Sequence, residues 1–163
     1  MEKKKALIGM SGGVDSSVAA LLTQKAGFDC IGGTMRLYDD VTDETVNSCC
    51  TLEHVEDARS VAYRLGMNFY VFNFTGNFQE KVVEKFVRCY ECGLTPNPCI
   101  DCNRFLKFDA FYEEGRKLGY DRIATGHYAR VEEREGRFVL KRGKDPNKDQ
   151  SYVLYTLTQE QLS

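Results

Sequence analysis

At 163 residues, with 42% hydrophobic and 28% charged, the chain has the length and composition of one globular domain with a sizeable core. Its net charge of −2 does not announce a nucleic-acid binder. Residues 1–100 nevertheless carry 10 Lys and Arg against 13 Asp and Glu and residues 101–148 carry 12 against 9, so the second half can still present a local basic surface.

The start, MEKKKALIGM, passes at once into glycine-rich polar sequence, so neither a signal peptide nor a membrane span is expected, and the protein reads as cytoplasmic. KKALIGM (4–10) reads as a buried strand, and VDSSVAALLTQKAG (14–27) as a helix closed by Gly27. FDCIGGTMRL (28–37) reads as a strand interrupted by Gly32 and Gly33, and the polar segment 38–50 as a mobile loop. LEHVEDARSVAYRLG (52–66) is an amphipathic helix, NFYVFNF (68–74) a strand, and residues 77–93 a further helix. After a proline-rich turn, CNRFLKFDAFYEEGRKLG (102–119) is helical, DRIATG (121–126) is a short strand, and residues 127–143 form a hairpin turning at Glu135-Gly136. Strands alternating with helices imply an open, doubly wound α/β fold, its mostly parallel sheet covered by helices on both faces. A helix start signal at Thr158, so close to the final residue, predicts that the chain is a fragment of a longer protein.

The strand-to-helix turn is the first place to look for chemistry. Gly9, Met10, Ser11, Gly12, Gly13, Val14, Asp15 and Ser16 form a glycine turn leading into a helix, the arrangement that offers backbone N–H groups and a positive dipole end to an anion. A Walker loop would require a lysine after the glycines, but none occurs before Lys25. Transfer of a γ-phosphate is therefore not expected; cleavage of ATP between the α- and β-phosphates is. Asp15 suits a Mg²⁺ ion bridging the phosphates, or merely favours the first helical turn.

Seven cysteines without a secretory signal favour metal or thiol chemistry over disulfides. Cys89-x-x-Cys92 and Cys99-x-x-Cys102 have the spacing of a four-thiolate zinc or iron–sulfur site, although a helical first pair would be ordinary packing thiols. Pro96 and Pro98 impose a stiff, extended presentation of Asn97. Cys102 is expected at the start of the next helix, where the dipole favours a thiolate nucleophile.

SGGVDSS resembles the PP-loop of the ATP pyrophosphatase superfamily, which activates carbonyl oxygens by adenylation. TPNPCIDCN (95–103), KF (107–108), ATGHYAR (124–130) and KDQSY (148–152) narrow the resemblance to the tRNA-specific 2-thiouridylases. That resemblance implies ATP-dependent replacement of the wobble uridine's C2 oxygen by sulfur, with tRNA and a persulfide donor, such as a cysteine desulfurase or sulfur-relay protein, as partners. It implies ATP contacts along the loop and at Met35 and Gly126, and target-base contacts at Asn97, Pro98 and Cys99. Cys102 would be the catalytic thiol, and Lys148, Asp149 and Gln150 would touch tRNA. Some members hold an iron–sulfur cluster here, which makes Cys99 and Cys102 candidate ligands of a [4Fe-4S] cluster. Family members continue into a central and a β-barrel domain and carry the persulfide cysteine there, so this chain alone is not expected to complete thiolation. Two other functions fit parts of the sequence: a PP-loop synthetase acting on a small acid, and a zinc-stabilised RNA-binding module.

Overall fold

The computed structural model describes residues 3–38 and 52–163, so most of the expected polar loop, with Cys49 and Cys50, lies outside the described residues. Four strands, β1 (Lys5–Gly9), β2 (Asp29–Arg36), β3 (Phe69–Asn73) and β4 (Arg122–Ala124), form a parallel sheet in the order β3-β2-β1-β4. Leu7 pairs with Ile31 on one side and Ile123 on the other. The period-two alternation of β1 builds two cores. Ala6, Ile8 and Met10 meet Ala20 of helix α1 (Val14–Lys25) and Ala58 and Ala62 of α2 (Leu52–Arg64). Leu7, on the opposite face, joins Ile31, Val82, Leu106 and Phe111. Burying a side chain such as Leu7 or Ile8 contributes about 1.5–3 kcal/mol, and layers on both faces explain the continuous apolar run of β1.

The strand β2 runs through Gly32 and Gly33 without the expected interruption. The glycines are there for space: a Cβ on Gly32 would lie 2.8 Å from Met10 Sδ, and one on Gly33 2.9 Å from the Phe72 ring and 3.0 Å from Leu7 and Phe111.

Residues 75–91 form one helical rod, α3 (Thr75–Phe78), a π-helical segment (Gln79–Val83) and α4 (Glu84–Glu91). Residues 98–117 form another, α5 (Pro98–Asp101), a π-helical segment (Cys102–Ala110) and α6 (Phe111–Lys117). This rod begins four residues before the expected start. Asn97 Oδ1 accepts the Cys99 N–H at 3.0 Å, and Pro98 occupies the first turn with its φ already helical. Cys102 consequently lies one turn inside the helix, outside the first turn where a dipole acts on a thiol. The two rods are joined by an ion pair between buried Asp101 and Lys85 at 2.7 Å.

The antiparallel hairpin of β5 (Ala129–Arg134) and β6 (Arg137–Arg142) turns at Glu135 and Gly136, both at positive φ as a two-residue turn requires. The start signal at Thr158 is genuine: a capping box with Gln161 opens α7 (Gln159–Leu162), and Gln161 Nε2 donates to the Phe108 carbonyl at 2.6 Å. No helix among the described residues is long and apolar enough to cross a membrane.

Candidate nucleotide site

The sheet order reverses at β1, whose sequence neighbour β2 lies on one side and β4 on the other. Such a switch point leaves a crevice beyond the carboxyl ends of the strands. A cavity of about 500 Å³ opens there. Its lining includes Gly9, Met10, Ser11, Asp15 and Ser16 from the turn after β1, and Met35 from β2. Gly126 lines it beyond β4, and Pro98, Cys99 and Cys102 line it from the start of the second rod.

The loop is held in shape by its serines. Ser16 Oγ accepts the Ser11 N–H at 3.2 Å and donates to the Gly13 carbonyl at 3.0 Å; Ser17 Oγ donates to the same carbonyl at 2.9 Å. No side chain caps α1 at Gly13, so the N–H groups of its first turn remain for a ligand. Two glycines are required by packing. Gly12, at φ +83°, lies where a Cβ would come within 2.5 Å of the His54 carbonyl oxygen. Gly126 rests on the backbone of Asp15 and Ser16, with a Cβ there 2.7 Å from Ser16 N.

Tyr128 connects this loop to the KDQSY turn. Its hydroxyl donates to Asp15 Oδ1 at 2.6 Å, a bond that raises the phenol's pKa. Its backbone N–H donates to Gln150 Oε1 at 3.0 Å, and its carbonyl accepts the Gln150 N–H at 2.9 Å. Gln150 lines the cavity, whereas exposed Lys148 stands with its ammonium 5.4 Å from the Tyr128 ring centre. Asp149 turns inward: it accepts the N–H groups of Gly143 (2.8 Å) and Ser151 (3.1 Å), which hold its carboxyl below the usual range.

Asn97 has the extended backbone that the prolines predict, but its side chain turns back as the helix cap and does not line the cavity. Gly12, Gly13 and exposed Val14 shape the loop without lining the cavity, and neither Lys148 nor Asp149 lines it. The packing reading of the first cysteine pair fails for Cys92, which is exposed, while Cys89 is half-buried. Among the described residues no group of three or more His, Cys, Asp or Glu stands together as metal ligands, so the four-thiolate site is not assembled there.

The cavity also draws in residues that the sequence reading left without a role. Thr34, Asn103, Lys107, Phe111, Thr125 and His127 line it. Asn103 is 2% exposed; its Nδ2 donates to the Cys99 carbonyl at 2.8 Å, and its Oδ1 is buried without a hydrogen-bond partner. Thr125 Oγ1 and His127 Nδ1 share a hydrogen bond of 2.7 Å. Burial, and secondly the charge of Lys107, pushes the His127 pKa down to about 4, so this imidazole is neutral at pH 7.

A family model described as the tRNA methyl transferase HUP domain matches residues 4–163. The tRNA-specific 2-thiouridylase MnmA of Clostridium acetobutylicum is 55% identical over 161 residues, covering 98% of this chain and 45% of that protein. Its counterpart in Clostridioides difficile is also 55% identical, over 162 residues, with the same coverage. The chain thus spans about half the length of the curated relatives it matches. The crystal structure of a predicted subunit of tRNA methyltransferase from Methanocaldococcus jannaschii has a TM-score of 0.52 at 18% identity, covering 82% of this chain and 57% of that one, a likeness of fold.

Proposed function

Since this chain belongs to the family of the tRNA methyl transferase HUP domain, we propose that it is the nucleotide-binding part of a tRNA-specific 2-thiouridylase, driven by ATP and acting on the wobble uridine of tRNA. One observation carries the reading: a single cavity is lined both by the lysine-free phosphate loop and by the Cys99–Cys102 helix start. A loop that binds phosphates beside a thiol suits a reaction in which adenylation precedes sulfur transfer.

The loop N–H groups after Gly13 bind the β- and γ-phosphates, and Asp15 would hold a Mg²⁺ ion that offsets phosphate charge. Met35, at the end of β2, flanks the adenine. The uridine, splayed from the anticodon stack, enters beside Pro98 and Cys99. Its C2 oxygen attacks the α-phosphorus, the bond to the β-phosphate breaks, and pyrophosphate leaves. The terminal sulfur of a cysteine persulfide then attacks C2, and AMP departs with the original oxygen. Cys102 attacks the donor's inner sulfur, forming a disulfide with the donor cysteine and releasing the 2-thiouridine; an external thiol reductant restores both cysteines.

Cys99 and Cys102 are read here as thiols; a cluster would need a third ligand from outside the described residues. The β5–β6 hairpin, with five Lys and Arg against two Glu in its strands, suits the phosphate backbone of tRNA. Gln150 and Lys148, at the cavity and its rim, suit a loop that follows the anticodon.

The reading is tested by incubating the protein with α-labelled ATP, a persulfide donor and tRNA and measuring AMP. AMP formed only with tRNA carrying an unmodified wobble uridine supports it. AMP formed equally well without RNA would reassign the site to a synthetase acting on a small acid.

A further inference from the structure

The phosphate loop brings no cation to the cavity, yet the cavity contains one. Among the described residues Lys107 is the only lysine or arginine in its lining. It lies on the π-helical segment Cys102–Ala110, on the same wall as Cys99 and Cys102 and apart from the glycine loop. The side chain is half-buried and, among the described residues, makes no ion pair or hydrogen bond. A lone ammonium in the lining, without a counter-charge among the described residues, favours an anion in the cavity.

Nothing else in the lining satisfies it. Among the described residues the one carboxylate there, Asp15, accepts the Tyr128 hydroxyl, and His127 is neutral at pH 7. A second unmet group stands one turn away on the same helix: Asn103 Oδ1 is buried and without a partner, its orientation fixed by the Nδ2 bond to Cys99. Two unsatisfied polar groups on one wall, of different kinds, mark a surface shaped for a polar ligand. The π-helical winding is a further sign, since such segments often occur at functional sites.

We propose that Lys107 binds the α-phosphate of the nucleotide from the wall opposite the loop, supplying the positive charge that a Walker loop would draw from its own lysine. The assignment rests on the nucleotide reading above. The loop N–H groups hold the leaving pyrophosphate, so the α-phosphate faces the Cys102 helix, where the uridine arrives. Negative charge grows on its non-bridging oxygens as the uridine oxygen attacks. A fixed ammonium there lowers the barrier as well as aiding binding.

The test is calorimetric titration of the wild-type protein, Lys107→Met and Lys107→Arg with ATP, AMP, adenosine and pyrophosphate. Because Lys107 has no ion pair or hydrogen bond among the described residues, Lys107→Met should melt within a few degrees of wild type. Its affinity for ATP and AMP should fall about 10- to 100-fold, the range of a charge-assisted hydrogen bond. Affinity for adenosine and pyrophosphate should stay within twofold, and Lys107→Arg should recover part of the loss. Unchanged ATP affinity in Lys107→Met, in a wild type that binds ATP, would overturn the role of Lys107 and leave the nucleotide reading intact. Equal losses for adenosine and ATP would also overturn it, by showing a collapsed site. A wild-type protein that binds no ATP would overturn both.

Discussion

Gly126→Ala tests whether the close approach beyond β4 is what shapes the phosphate loop. A methyl group there would lie 2.7 Å from Ser16 N, 2.8 Å from the Asp15 carbonyl carbon and 3.0 Å from Ser16 Cα. Ordinary contact begins at 3.4 Å, so the two backbones must part by about 0.7 Å. All three atoms are backbone, and no flexible side-chain end can yield instead. Overpacking of this kind costs about 1–3 kcal/mol of stability. The displaced atoms are those whose N–H groups face the ligand, so ATP affinity should fall about tenfold or more, the loss of one well-aligned hydrogen bond to a charged group. Urea unfolding and calorimetric titration with ATP measure the two effects separately. Gly27→Ala is the control: its φ is +92° and no atom lies within 4 Å of the added methyl, so about 1–2 kcal/mol of backbone strain is expected with ATP affinity unchanged. Wild-type ATP affinity in Gly126→Ala, or an equal loss in Gly27→Ala, would refute the argument.

His127 should make stability depend on acidity. Its folded pKa of about 4 lies below the ordinary 6.5, so the unfolded chain takes up the proton first as pH falls. A contribution of about 3 kcal/mol, present above pH 6.5, should be lost by pH 4, and His127→Gln should flatten that part of the profile; equal pH profiles in urea would contradict the assignment. Tyr128→Phe removes the hydroxyl bonded to Asp15 and should weaken binding of Mg·ATP by about 2- to 10-fold without displacing Gln150, which is held through the Tyr128 backbone. An unchanged affinity would mean that Asp15 needs no such restraint.

The strands and helices that carry the phosphate loop are legible because local signals agree: an apolar run, a glycine turn, helical spacing, then Gly27 at positive φ. Gly126 and Met35 were found through a resemblance, and the structure brings both to the same cavity. Elsewhere a local reading gives the wrong reason. Gly32 and Gly33 look like breaks but are spacers, because what excludes a side chain is Met10, Phe72 and Phe111, distant in sequence. The helix starts before Cys102 because Asn97 and Pro98 supply its cap and first turn. Lys107 stands out in the sequence only as part of KF, and helical periodicity gives no reason to place it beside Cys102. In an α-helix a residue five positions after Cys102 points about 140° away from it. The π-helical winding, with its i→i+5 bonds, turns the two towards one side, and both line the cavity. Nothing in the local sequence announces that winding.

The bond between Asp15 and Tyr128 spans 113 residues, and it bears on how the protein is made. On the ribosome, β1, α1, β2, α2 and β3 emerge early and can pair in chain order. The strand that completes the crevice, β4, follows about fifty residues after β3, and Gln150, which clamps Tyr128, emerges later still. A nascent chain therefore carries its glycine loop without its Gly126 and Tyr128 contacts until most of the domain has been synthesised. Closing so long a loop has an entropic cost, and a ligand that binds only the closed form offsets it. A nucleotide that fills the crevice would then act first as a folding partner of this domain.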